Sequence, residues 1–181
     1  MSPAPVLALL GQFGDAIQFI FQERESTTGG AQVGGAQIWG LLVDHVQLCA
    51  IAMAIACLIA VPLGLVLGHT GRFGFLAINL SNIGRAVPTL ALVAVFVAYL
   101  GVGLLNVTVA LTLLAIPPIL TNTYVGVQQV DREIVDAATG QGLTGAQVLR
   151  SIELPLALPL IMDGIRISTV NVIATAALAP L

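Results

Sequence analysis

The sequence predicts an all-α, polytopic bundle of transmembrane helices. Charged residues make up 8% of the 181 residues, apolar residues make up 57%, and the mean hydropathy is +1.01. A soluble domain carries about 25% charged residues, and a soluble fold of this size cannot bury so much apolar surface. The net charge of −3, with six basic residues that are all arginine, also argues against a nucleic-acid binder.

The first 37 residues are predicted to form an external N-terminal segment, ahead of a transmembrane domain over residues 38–181. Residues 3–21 are mildly amphipathic and are interrupted by two glycines and Asp15, which favours an interfacial helix over a span. Residues 23–35 are rich in Gly, Ser and Thr, which is typical of a loop.

The first span is predicted over residues 49–68, which contain no charged residue, and its helix can begin as early as Trp39. About 20 apolar residues are enough to cross the hydrocarbon core of a bilayer. Pro62 lies inside this span and is expected to kink it. Gly64 and Gly68 form a small-xxx-small pair, which either admits another helix closely or merely lies near a helix end.

Residues 86–130 contain no charged residue and are long enough for two further spans. The Gly-Val-Gly turn signal at residues 101–103 divides them. The second span, over residues 87–100, is short. It is therefore expected to continue back through residues 73–82 as a bent element that begins near one face of the membrane.

The third span is predicted over residues 105–125 and contains the pair Pro117 and Pro118. A kink at such a pair is tolerable inside a bundle, where neighbouring helices satisfy the freed carbonyl groups. The last apolar stretch covers residues 154–181 and has no polar flank after it. We therefore expect the transmembrane domain to be truncated at its C-terminus.

The last span carries two charged side chains, Asp163 and Arg166, whose i, i+3 spacing places them on one side of the helix. Two interpretations are open: a mutually neutralised pair that holds the bundle together, which we favour, and a polar patch used in the pathway or in gating. Asn171 and Thr175 lie deeper in the span and are further pathway candidates, although a threonine often bonds its own helix backbone.

The arginines set the expected orientation. Arg72 and Arg85 follow the first span, and Arg132 and Arg150 follow the third. With three spans these two clusters lie on the same side, which the positive-inside rule assigns to the cytoplasm. The acidic N-terminal segment then lies outside.

The two cysteines and two histidines show no spacing typical of a metal site. Cys49 and Cys57 are too far apart on one helix for a disulfide. His45 and His69 flank the first span and are expected to be interface residues. We therefore predict no metal, no cofactor and no catalytic residue in this chain.

Residues 131–153 break the apolar pattern, because they contain six charged residues. Asp131 is predicted to cap a short helix that runs through Ala138. Gly140 and Gly142 then end it.

A second short helix is predicted to follow the glycines. Thr144 and Gln147 have the spacing of a capping box at its start, and Pro155 marks the start of the next span. The plain interpretation is an ordinary hairpin between two spans. The length and the caps favour a docking element instead.

This segment resembles the cytoplasmic loop of ABC importer permeases of type I. The family pattern is Glu-Ala-Ala, three residues, Gly, nine residues and Ile-x-Leu-Pro. It stands here as Asp136-Ala137-Ala138, Gly142 and Ile152-Glu153-Leu154-Pro155, so that Asp136 in place of Glu is the one departure. Further stretches at residues 61–64, 85–90, 116–124 and 153–159 are similar to the osmoprotectant subfamily, which imports glycine betaine, choline, proline-type solutes or carnitine.

The resemblance implies roles for particular residues. Asp136, Ala137 and Ala138 would face a groove of the ATPase, and Gly142 would set the angle between the two short helices. Leu154 and Pro155 would begin the next span. The implied coupling-loop set is Asp136, Ala137, Ala138, Gly140, Gly142, Ile152, Leu154 and Pro155. The candidate pathway or gating set is Pro88, Thr89, Asp163, Arg166 and Asn171, of which Pro88 and Thr89 belong because a helix break there exposes carbonyl groups.

The resemblance also implies partners. They are two copies of a cytoplasmic ATPase that bind ATP and Mg, a second permease chain (itself or a paralogue), a solute-binding protein outside the membrane, and lipid. The location would be the cytoplasmic (inner) membrane of a prokaryote. The chain has no lysine, so it lacks a P-loop and is expected not to be an enzyme. No aromatic cage for a quaternary ammonium is visible in the pathway, so solute recognition would belong to the binding protein.

Other functions stay open at this point. The solute of an ABC importer could be an amino acid such as methionine, or an oxyanion. An ion-coupled secondary transporter usually has repeats or more intramembrane charges, and neither is seen. A membrane scaffold would account for the spans but not for the spaced loop motif.

Overall fold

The structure is a computed structural model. It describes residues 35–71 and 103–177 together with positions 18, 24–25, 32–33, 79, 95–96, 98–99 and 101. The predicted interfacial helix over residues 3–21 and the second span over residues 73–100 therefore fall largely outside the described residues. Pro88 and Thr89 lie outside them as well.

The described part of the chain contains three helical stretches that are long and apolar enough to cross a membrane. They are Gln37–Thr70, Leu104–Gln128 and Gly145–Ala176. The predicted first, third and last spans are thereby confirmed. The chain divides into two compact units, Met1–Gln47 and Leu48–Leu181.

The N-terminal unit contains two short antiparallel strands, β1 (Arg24–Glu25) and β2 (Gln32–Val33). Arg24 pairs with Val33, and Glu25 pairs with Gln32. Gly35 has a φ of 57° immediately before the first long helix. The unit also includes the first turns of that helix.

The first long helix, α1, covers Ala36–Thr70 and is longer than the predicted span. Pro62 lies within it, and the helix continues through the proline. It ends at Gly71, whose φ of 61° is left-handed and whose N–H donates to the carbonyl of Gly68 at 3.2 Å. A glycine in this conformation is a common helix stop because it has no Cβ to clash.

The second helix, α2, covers Leu104–Gln128 and begins directly after Gly103. Gly101, with a φ of 78°, confirms the predicted turn before this helix. Pro117 and Pro118 are buried inside α2, which continues through both prolines.

The last span is α5 (Leu154–Ala176), and it packs against α2. Gly164 of α5 lies against α2 so closely that an added Cβ would be 2.8 Å from Cβ of Asn122 and 3.1 Å from the carbonyl of Pro118. On the other side of this contact, a Cβ on Gly126 would be 3.1 Å from the carbonyl of Ala157. Small residues at helix contacts are the usual way in which membrane helices approach closely.

The helix α1 packs against another side of α2. A Cβ on Gly64 would lie 2.6 Å from Cβ of Thr123, and one on Gly68 would lie 2.6 Å from Cβ of Val127. The close-approach interpretation of this glycine pair is therefore confirmed, and α2 is the helix that both other spans share. The apolar core around it is made of buried residues from all three helices, including Ala52, Ala56, Ala60, Leu111, Ile119 and Val172.

A buried hydrogen bond joins α5 to α2, since the Ser168 hydroxyl donates to the carbonyl of Ala115 at 3.0 Å. We expect Ser168→Ala to destabilise the detergent-solubilised protein by about 1 kcal/mol, as is typical of hydrogen bonds between membrane helices. Thr169→Ala is the matched control, because the Thr169 hydroxyl donates to Ile165 of its own helix. Thermal unfolding of both variants checks this, and equal losses would contradict it.

Candidate functional site

The polar segment between α2 and α5 folds as predicted into two short helices, and we call residues 131–153 the two-helix loop. Its first helix, α3, covers Arg132–Gly140. Asp131 caps α3 by accepting a hydrogen bond from the N–H of Glu133 at 2.9 Å. Carboxylates at this end of a helix also interact favourably with its dipole.

The helix α3 ends in a glycine turn. Gly142 has a φ of 91°, its N–H donates to the carbonyl of Thr139 at 2.9 Å, and the N–H of Leu143 donates to the carbonyl of Ala138 at 3.2 Å. These two bonds define a Schellman motif, which needs a left-handed residue where Gly142 stands. Gly140, by contrast, is the last residue of α3.

The second helix of the loop, α4, covers Gly145–Val148. The predicted capping pair is confirmed, because Oε1 of Gln147 accepts from the N–H of Thr144 at 2.8 Å and from its hydroxyl at 2.9 Å. The chain then passes through a π-helical turn, Leu149–Glu153, directly into α5. No feature of the sequence predicts this turn.

The π-helical turn lies just before Pro155. Pro155 has no N–H, and in an α-helix its ring would clash with the carbonyl four residues earlier, that of Ser151. In the wider turn the N–H of Leu154 instead donates to the carbonyl of Leu149, five residues earlier. The two-helix loop is therefore continuous with the last span through helical backbone.

The outer side of the two-helix loop forms an open groove of about 390 Å³. Asp136 and Ala137 are exposed, whereas Ala138 is 5% exposed and forms part of the floor of the groove. Ile152 contributes to the same lining. The lining combines small and apolar side chains with the carboxylates of Asp131 and Glu133.

Two side-chain contacts join the end of α1 to the rest of the helices, one to the two-helix loop and one to the end of α2. The Nδ1 of His69 lies 2.6 Å from Oε2 of Glu153, and their side chains are 29% and 3% exposed. The side-chain amide of Gln128 donates to the carbonyl of Gly68. The prediction of His69 as an interface residue did not identify Glu153 as its partner.

The charges of α5 are arranged differently from the favoured prediction. Asp163 and Arg166 are both exposed, and the structure shows no ion pair between them within the described part of the chain. Residues three apart are separated by about 60° around a helix, and no described helix covers this face to bring the two side chains together. Asn171 is exposed as well. The face of α5 toward α2 instead holds the buried residues Ala157, Ile161, Gly164, Ser168, Val172 and Ala176.

Within the described ranges, no group of three or more His, Cys, Asp or Glu side chains is placed to hold a metal ion. Three membrane-length helices with a capped two-helix loop between two of them are the arrangement of a multi-pass membrane protein, and the motif in the loop indicates the permease class.

The comparisons with known proteins agree with this class. Residues 60–181 match the family described as "Binding-protein-dependent transport system inner membrane component". The chain belongs to this family.

Several curated relatives are similar over most of the chain. The choline transport system permease protein OpuBB of Bacillus subtilis is 39% identical over 148 residues, which are 82% of this chain and 68% of the relative. The carnitine transport permease protein OpuCB of Listeria monocytogenes is 36% identical over 165 residues, 91% of this chain and 71% of the relative. The osmoprotectant import permease protein OsmY of Salmonella typhimurium is 37% identical over 137 residues, 75% of this chain and 58% of the relative.

A solved structure also has this fold. A chain of the MetNI methionine ABC transporter in inward-facing conformations superposes with a TM-score of 0.65 at 22% identity, covering 80% of this chain and 75% of that chain. At this identity the likeness supports the fold alone.

Proposed function

We propose that the protein is the permease subunit of an ATP-driven importer for osmoprotectants such as glycine betaine, choline and carnitine. The observation that carries the proposal is the two-helix loop. Its motif residues Asp136, Ala137 and Gly142 lie on a capped, exposed element that runs directly into a span. The names of the relatives supply the solute class, because they include choline, carnitine and osmoprotectant permeases.

The partner at the two-helix loop would be a cytoplasmic ATPase, with one copy docked on each of two permease chains. The surface around Ala137, Ala138 and Leu143 is small and apolar, with carboxylates at its rim, and would face the groove of the ATPase. The ATPase would bind ATP and Mg. The permease has no lysine and so cannot supply a P-loop lysine, which supports a transmitting role without hydrolysis.

The proposed orientation places the two-helix loop in the cytoplasm and the N-terminal segment outside, in the cytoplasmic membrane of a prokaryote. The arginines Arg132 and Arg150 of the loop support it through the positive-inside rule. The description of the matched family as an inner membrane component supports the choice of membrane.

The exposed face of α5 is the candidate pathway surface. Charged side chains in contact with lipid are costly, so Asp163 and Arg166 should face water or protein in the assembled transporter. Asn171 is exposed on α5 as well, about 80° around the helix from Asp163. A second permease chain, itself or a paralogue, would complete the pathway, and an external binding protein would recognise the solute. Pro88 and Thr89 stay candidates outside the described residues.

The proposal is tested by uptake into liposomes. The full-length permease is reconstituted with its ATPase and binding protein, and uptake of labelled glycine betaine, choline, carnitine and methionine is followed with ATP or a non-hydrolysable analogue inside. We expect uptake of at least one of the first three solutes, only with hydrolysable ATP and binding protein.

Each other outcome has a distinct meaning. Uptake that needs an ion gradient and no ATP would identify a secondary transporter. ATP-dependent uptake of methionine alone would keep the permease and reject the solute class. Liposomes without the binding protein control for leakage.

A further inference from the structure

A buried carboxylate lies where the two-helix loop becomes the last span. Glu153 is the last residue of the π-helical turn, and its side chain is 3% exposed. Burial of an unpaired carboxylate is costly, because the charge loses its hydration. Within the described residues the structure shows one ion pair, and it is the pair between Glu153 and His69.

His69 comes from a distant part of the chain, 84 residues before Glu153. It is the next-to-last residue of α1, so the contact joins the end of the first span to the start of the last one. Nδ1 of His69 and Oε2 of Glu153 are 2.6 Å apart, the distance at which an ionised carboxylate accepts a charge-assisted hydrogen bond from an imidazole N–H.

The same imidazole also lies against the start of the short helix α4. A Cβ built on Gly145 would be 3.0 Å from Nε2 of His69. His69 therefore contacts the helical segment 145–153 near both of its ends, at Gly145 and at Glu153. A movement of this segment cannot occur without displacing His69 or breaking its contacts.

A second side-chain contact at this end of α1 joins it to a different helix. Gln128 donates to the carbonyl of Gly68, which ties α1 to the end of α2 and not to residues 145–153. The end of α1 thus has one side-chain contact to α2, through Gln128, and one to the two-helix loop, through Glu153. Substitutions that remove one contact at a time can therefore show which of the two affects transport.

We propose that His69 and Glu153 are positioning residues that pass the movement of the two-helix loop to α1. The proposal rests on the proposed function, in which an ATPase moves this loop. The backbone through the π-helical turn carries the movement into α5, and the His69–Glu153 contact carries it into the first span. The contact links the two spans directly, in addition to the packing of each span on α2.

The test measures solute imported per ATP hydrolysed in the reconstituted full-length complex. We expect His69→Leu and Glu153→Leu to lower this ratio about tenfold, as for loss of a buried charge-assisted hydrogen bond, while ATP hydrolysis continues. Glu153→Gln, which keeps an acceptor for His69, should retain more of the ratio. Gln128→Leu is the matched control and should leave the ratio unchanged.

The outcomes separate this proposal from a merely structural role. An unchanged ratio in His69→Leu and Glu153→Leu overturns it, as does an equal fall in Gln128→Leu. If the leucine variants do not assemble, Gly145→Ala decides, because its added Cβ would lie 3.0 Å from Nε2 of His69 and should displace the imidazole and lower the ratio. An unchanged ratio in Gly145→Ala then overturns the proposal. Absence of ATP-dependent uptake in the wild type would instead contradict the proposed function.

Discussion

Replacing Gly64 by leucine is expected to separate α1 from α2 and to prevent assembly of the bundle. Even a single Cβ at this position would lie 2.6 Å from Cβ of Thr123 and 3.0 Å from the backbone carbonyl of Leu120. The carbonyl belongs to a helix and cannot rotate away, so the helices themselves must move apart. We expect Gly64→Ala to destabilise the protein by about 1–3 kcal/mol and Gly64→Leu to abolish the folded yield in detergent.

Ala54→Leu is the matched control for this series. Ala54 is exposed on the same helix, so the added side chain meets no other helix of the described residues. Its melting temperature should stay close to that of the wild type. A Gly64→Leu protein that elutes as a monodisperse species with wild-type thermal stability would show that α1 and α2 do not need this close contact.

Replacing Gly142 by valine is expected to abolish ATP-driven uptake without unfolding the spans. A Cβ at Gly142 would meet no atom of the described residues within 4 Å, so the cost comes from the backbone φ of 91° and not from a clash. A left-handed residue with a side chain costs roughly 1–2 kcal/mol, and a β-branched one costs more. Relief of this strain would break the Schellman motif and change the angle between α3 and α4.

A substitution series isolates this cause. Asparagine tolerates the left-handed region better than other residues, so Gly142→Asn should keep most of the uptake and Gly142→Ala should be intermediate. Gly140→Ala is the control, since Gly140 is helical and has equally open space around it. Uptake that follows side-chain size at residue 142, and not backbone preference, would contradict the strain argument.

The sequence was sufficient for features that depend on local chemistry. The length of the apolar stretches predicted α1, α2 and α5, because crossing a bilayer requires a minimum number of apolar residues. The caps at Asp131 and Gln147 followed from spacing, because a cap is satisfied within one helical turn.

Features that depend on tertiary contacts were not predictable in the same way. The partners of Gly64 and Gly68 on α2 become known only when the helices are packed. His69 and Glu153 are single residues with no local pattern, although one signal was available: both lie at the expected cytoplasmic end of a span. The spacing of Asp163 and Arg166 permitted a pair, but spacing does not fix which way two exposed side chains turn.

The described spans differ in how readily each can enter the membrane during synthesis. The helix α1 carries no charged residue from Leu48 to Thr70, so this part can partition into lipid by itself. Each charged side chain near the middle of a span adds about 2.5–3.5 kcal/mol to the cost of insertion, and α5 carries Asp163 and Arg166. Because α2 packs on the opposite face of α5, at Gly164, it leaves both charged side chains exposed, so we expect α5 to insert less readily than α1.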